Sequence, residues 1–362
     1  MATATMDVRS WNEDAYRETI LQERESRCRT VFRTAFAPSS DRNPNPNSIP
    51  DVIVAASSDG SLASYSISSF LSSDRLLIAE PDCFIQAHEG AAYDIKFHEN
   101  GEDSLLFSCG DDGHIRGWRW KEMTAVTGAH LNPVVDLVNL QHKGPWGSLS
   151  PIPETNAIAL DNQGQSIYAA AGNSCAYCWD VETGKVKVVY KGHSDYLHSV
   201  VVRNSSNQVL TGSEDGTTRI WDSVSGKCIR VLSMEKNDKL KDTPCVSSLA
   251  LDASESWLAC GSGRSLFIWN LVAGERVSRI PTCTSVQDVV FHGNQVIAVG
   301  AEPLVSRYDM SGEIRSQIQC APHSVFSISL HSSGVLAAAG YGGLVDVISP
   351  FGSHLCVLHC RL

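Results

Sequence analysis

The sequence predicts an all-β fold, a single seven-bladed β-propeller with a short N-terminal helix. Three observations carry that prediction. A strand–turn–strand segment ending in an aromatic or large apolar residue recurs seven times. Its unadorned period is ~40 residues, the length of a four-stranded blade. Further apolar strands flank each copy at regular distances.

The clearest copy is LTGSEDGTTRIWD, Leu210–Asp222. Asp215-Gly216 marks a tight hairpin, because glycine accepts positive φ without steric cost. LFSCGDDGHIRGW (Leu106–Trp118) and VIVAASSDGSLASY (Val52–Tyr65) repeat it, turning at Asp112-Gly113 and Asp59-Gly60. Weaker copies end at Trp179, Trp269, Tyr308 and Val347. The anchors Tyr65, Trp118, Trp179, Trp221, Trp269, Tyr308 and Val347 are therefore spaced 53, 61, 42, 48, 39 and 39 residues apart.

Inner strands precede the anchors. They read AYDIKF (Ala92–Phe97), LHSVVV (Leu197–Val202), VSSLAL (Val246–Leu251), VQDVVF (Val286–Phe291) and VFSISL (Val325–Leu330). Alternating or continuous apolar character suits strands buried at a blade's inner edge. KVKVVY (Lys185–Tyr190) and KCIRVL (Lys227–Leu232) read as outer strands. The predicted organisation is an arm over 1–29 and a propeller over 30–362. Its blades cover about 30–88, 89–142, 154–192, 193–235, 244–281, 284–319 and 323–362. HLCVLHC (His354–Cys360) supplies the last blade's own outer strand, and the first blade runs from Thr30 to His88. No strand exchange is expected at the closure.

The remaining residues form the arm and three insertions. Residues 11–26 read as a helix, with Ser10 and Glu13 as a capping box and Tyr16, Ile20 and Leu21 as a short apolar stripe. This helix is either a cap packed on the propeller or a partner-binding arm. Residues 38–50 are a polar Pro/Asn-rich loop, and 68–80 a second insertion. Residues 122–155 hold one strand, PVVDLV, and then HKGPWGSLSPIPE, in which Trp146 is either a partner anchor or a buried staple.

Composition excludes several classes. With 43% hydrophobic and 19% charged residues, the chain is an ordinary globular sequence rather than disordered, collagenous or coiled. A net charge of −11 argues against a direct nucleic-acid or anionic-membrane surface. There is no apolar run of membrane length and no signal-peptide pattern, so an intracellular chain with reduced thiols is expected.

No chemistry-bearing motif emerges. Twelve cysteines are scattered without a framework. Cys175 and Cys178 sit three apart on a strand and so face opposite ways, and Cys356 and Cys360 share a face without a histidine pair. His98, His292, His323 and His331 fall at strand ends. No phosphate loop, dinucleotide fingerprint or nucleophile elbow occurs, so the reading is no enzyme, no cofactor and no metal. RGWRWK (Arg116–Lys121) interleaves cations and aromatics. Strand alternation places Arg116, Trp118 and Trp120 on one face, which favours core plus rim.

The anchor segments resemble the WD-repeat family. In that family a His, a Ser/Thr ten residues before the Trp, a turn Asp six before it, and the Trp form a buried hydrogen-bond chain. The resemblance assigns two complete tetrads: His88, Ser108, Asp112 and Trp118, and His193, Thr211, Asp215 and Trp221. Their role is structural, since buried polar groups must be paired.

Longer runs resemble a narrower family. These are NEDAYRE, RTVFRTAFAP, CGDDGHIRGW, HKGPWGSLSP, AAGNSCAYCWD, KGHSDYLH, GSEDGTTRIWD, GGLVDV and FGSHLC. They are similar end to end to the THO complex subunit 6 family, its plant members most. That resemblance implies a non-catalytic scaffold of the nuclear THO/TREX assembly, which serves messenger-RNA processing and export, with other THO/TREX subunits as partners. Plant members are also described as DWD-box substrate receptors of cullin–RING ubiquitin ligases in abscisic-acid signalling, which implies a ligase adaptor as the alternative partner. The box requires a cation three residues past the Trp. Trp221-Asp222 is followed there by Val224, whereas Trp118 is followed by Lys121. Asp222 and Lys121 join Trp146, Trp221, Tyr16 and Ile20 as candidate partner contacts.

Overall fold

A computed structural model of the protein describes residues 12–38, 50–71, 78–125, 131–143, 147–234 and 245–360. The chain forms a seven-bladed β-propeller, each blade an antiparallel sheet wound outward from an inner strand. The first blade comprises Val31–Phe36, Val52–Ser57, Ser61–Ser66 and Cys83–Gln86. The others span 92–138, 155–191, 197–233, 246–281, 286–319 and 325–360.

The core lies between blades rather than within them. Seven apolar clusters each join one blade to the next. Val31, Ile53 and Tyr65 of the first blade meet Val335, Ala337 and Leu358 of the last, which closes the ring. A single blade has two apolar faces and no means of covering both. Small residues on the second strands, Ala55, Ala169, Ala259, Ala298 and Ala337, allow the faces to approach closely. Cys175 and Cys178 follow their opposed directions into different clusters.

The Asp-Gly hairpins form at positive φ, +72° at Gly113 and +78° at Gly216. A Cβ on Gly113 would sit 2.5 Å from the Pro153 carbonyl oxygen, so that turn requires glycine twice over.

Three expectations need correction. The N-terminal helix runs Glu13–Cys28, and its cap is Asn12, whose side chain accepts from the Asp14 and Ala15 N–H groups at 3.1 Å; Ser10 lies outside the described residues. The strand His114–Arg119 ends before Trp120, which opens a short helix, Trp120–Ala125. Trp120 therefore leaves the face of Trp118 and packs edge-on to Phe97 at 5.1 Å. At the closure, the last blade does build four strands from its own segment. The first blade's insertion nevertheless contributes Ile78–Ala79 as a fifth strand, paired parallel to His359 and Cys360. A separate bridge joins Thr30 to Tyr341. Exposed outer edges invite pairing, and this crossing strand covers one.

Candidate functional site

The two tetrads show how polar residues are carried inside the propeller. His88 contacts Asp112 at 2.9 Å through Nδ1 and Ser108 at 2.8 Å through Nε2, and Trp118 donates to Ser108 at 3.2 Å. In the fourth blade the distances are 2.8 Å from His193 to Asp215, 2.8 Å to Thr211, and 2.8 Å from Trp221 to Thr211. Each hydroxyl relays between an indole N–H and an imidazole. Burial works against the charge of Asp112, but His88, Arg116 and the His114 N–H prevail and hold its carboxyl well below the usual range. Burial lowers the pKa of His193, opposed in part by Asp215.

The other five blades place alanine ten residues before the anchor: Ala55, Ala169, Ala259, Ala298 and Ala337. The consequence is visible at the two remaining Trp anchors. The indole N–H groups of Trp179 and Trp269 are buried without an acceptor among the described residues. Apolar packing offsets the cost in those blades.

Each inner strand carries a β-bulge between its first and third residues. A bulge leaves one residue unpaired and re-aims its side chain. The seven residues so released are Phe32, Tyr93, Asn156, His198, Ser247, Gln287 and Phe326. All seven line one cavity of about 710 Å³ at a mouth of the central channel. Phe32 packs edge-on to Tyr93 at 5.4 Å and to Phe326 at 5.7 Å, forming an aromatic arc across the closure. Glu154, Tyr196, Glu214 and Cys245 complete the opposite side. Burial and neighbouring Asp111 push the Tyr93 phenol up to about 12. Burial, with the Glu214 and Asp195 carboxylates, pushes the Cys245 thiol up to about 12.

One residue further along each strand, the blades are tied to one another. The side chains of Asp94, Asp288 and Ser327 accept from the backbone N–H of Ile158, Ile328 and Thr34 at 3.0, 2.9 and 3.1 Å, each in the next blade around the ring. Ser248 accepts likewise from Val289 at 3.1 Å and donates to Asp288 at 3.0 Å. Arg33 spans the channel. Its Nε lies 3.0 Å from Asp94 and its Nη1 is hydrogen-bonded to Asp288, so one guanidinium links the first, second and sixth blades. This network was not anticipated from the sequence. Its signal was present as a charged residue at the third position of the inner strands VFRTAF, AYDIKF and VQDVVF.

The candidate partner contacts scatter. Tyr16 is 50% exposed on the arm, and Ile20 is half-buried. Trp221 is fully buried beneath Arg219, so it acts within the blade. Asp222 accepts from the Ser225 N–H at 2.7 Å and shapes its own loop. Val224 presents an isopropyl group, 78% exposed, where the receptor box requires a cation. Lys121 is exposed on the short helix rather than on a strand. The receptor reading gains nothing from this geometry. Trp146 lies outside the described residues.

The WD domain, G-beta repeat family matches residues 80–119, 184–222 and 226–270. The chain is 56% identical to THO complex subunit 6 of Arabidopsis thaliana, over 97% of each chain. It is 29% identical to THO complex subunit 6 of Homo sapiens, over 83% of this chain and 86% of the human one. The Drosophila melanogaster subunit is 26% identical over 73% of each chain. Identity of 56% over 97% of the chain shows that this protein belongs to the THO complex subunit 6 family.

Proposed function

We propose that the protein is a non-catalytic scaffold subunit of a nuclear THO/TREX assembly, supporting messenger-RNA processing and export. The observation that carries this reading is the full-length similarity to THO subunits. A rigid, closed propeller suits the role, because it presents loops on a frame that pays little ordering entropy on binding. The net charge of −11 favours protein partners, with RNA held by other subunits. Within the molecule, the channel mouth is the surface we assign to a partner. Its aromatic arc of Phe32, Tyr93 and Phe326 offers apolar area at low conformational cost.

The test is reconstitution. The chain should co-elute with the other purified THO subunits, and Tyr93→Ala should weaken that association by roughly 1–2 kcal/mol, the scale of an interface anchor. Failure to form any complex with the THO subunits would remove the scaffold reading. An intact complex with the Tyr93 variant would remove only the mouth as its contact.

A further inference from the structure

The mouth of the channel brings together three side chains that share no motif in the sequence. His198 is the bulge residue of the fourth blade's inner strand, Glu214 follows that blade's second strand, and Cys245 enters the fifth blade. One ligand atom from each, an imidazole nitrogen, a carboxylate oxygen and a sulfur, lies within 4.8 Å of the other two. His198 Nε2 and a Glu214 oxygen are already 2.8 Å apart. We propose that His198, Glu214 and Cys245 form a binding site for a zinc-class divalent ion at the mouth of the propeller.

The donor set favours that class of metal. Sulfur and imidazole select borderline-soft ions over magnesium or calcium, and three protein donors with one open position is a common zinc arrangement. Zinc bonds of about 2.0–2.3 Å at tetrahedral angles separate ligands by roughly 3.3–3.7 Å. The donor atoms lie within 4.8 Å of one another, so displacements of about 1 Å bring them to that spacing. Their backbones are held in place. The Glu214 N–H donates to the Tyr196 carbonyl at 2.9 Å, and the Cys245 carbonyl accepts from the Gly263 N–H at 3.1 Å. Metal binding displaces the Cys245 thiol proton to solvent, and the resulting thiolate and the Glu214 carboxylate supply two negative charges to balance the dication. The fourth position opens to the cavity, where water completes the shell.

Cobalt(II) reports on such a site independently of any THO partner. The full chain, stripped with chelator and held reduced, is titrated with cobalt while the thiolate-to-cobalt charge-transfer band is followed. One equivalent should produce the band, and zinc should bleach it. Cys245→Ser should abolish it. His198→Gln and Glu214→Gln should each weaken cobalt binding at least by the roughly 10–100-fold that a supporting residue alone costs. Circular dichroism and metal-free unfolding verify that each variant folds; should the cysteine variant fail, the two Gln variants decide. Cys28, Cys228 and Cys283 are exposed and provide the internal control. A wild-type protein that develops no band overturns the proposal. So does a band that survives Cys245→Ser, or cobalt affinity unchanged in both Gln variants.

Discussion

Replacing Arg33 with Met tests whether the channel network holds the ring together. Methionine keeps the length and apolar stem of arginine and removes the guanidinium. Asp94 and Asp288, with side chains only 2% and 5% exposed, would then face each other across the channel without their shared cation. Breaking a buried ion pair costs about 3–5 kcal/mol, because the surviving charge stays desolvated. Two carboxylates are orphaned here, but the backbone N–H bonds to Ile158 and Ile328 remain, and Lys96 stays 3.7 Å from Asp94. The loss should therefore fall within that range rather than double it. At about 2.1 cal/mol/K of unfolding entropy per residue, a chain of 362 residues carries about 0.8 kcal/mol per kelvin. The expected fall in Tm is thus about 4–7 °C by calorimetry. The triple variant Arg33→Met, Asp94→Asn, Asp288→Asn should recover most of it, since the charges that need pairing are gone. A fall of less than about 1 °C, or no recovery in the triple variant, would refute the reasoning.

Other consequences follow from the same geometry. Thr211→Val should cost about 2–4 kcal/mol in urea unfolding, because it strips the partner from both the Trp221 N–H and His193 Nε2; a cost under ~0.5 kcal/mol would show that the relay is dispensable. Ala169→Ser, which offers the buried Trp179 N–H an acceptor at the tetrad position, should gain about 0.5–1.5 kcal/mol, and a loss would show that the hydroxyl itself goes unsatisfied. Stability should decline on acidification from about pH 6.5. Burial depresses the folded pKa of His193, so the folded state binds fewer protons; its contribution is full above the unfolded pKa near 6.5 and is lost as pH falls toward the folded value. Asp215 and Asp112, also depressed, extend the loss below about pH 4, and His193→Gln should flatten the urea-midpoint slope between pH 5 and about 7. Ala79→Pro, which breaks the crossing strand, should expose the His354–Cys360 edge to limited proteolysis before any other blade is cut.

The sequence alone was enough to determine the repeat and the propeller, and its resemblance to the WD-repeat family pointed to the tetrads. Blade geometry is local, and turn glycines and strand alternation are written along the chain, as are the residues that match the family's ten- and six-residue offsets before an aromatic anchor. Cys175 and Cys178 could be sent to opposite faces by counting alone. The arm's cap at Asn12 rather than Ser10, and the helix that draws Trp120 off its strand, were missed because both depend on where an element ends, and competing caps and packing partners settle that. What only the tertiary structure decided was everything made by closing the ring. Arg33 meets Asp288 across 255 positions because the first and sixth blades both face the channel. Ile78–Ala79 reaches the last blade because closing the ring makes the first and last blades neighbours. His198, Glu214 and Cys245 meet because a bulge, a turn and a strand entry open on one mouth. A period in sequence specifies each blade, but contacts between blades depend on the rotation from one to the next, and no single repeat encodes that rotation.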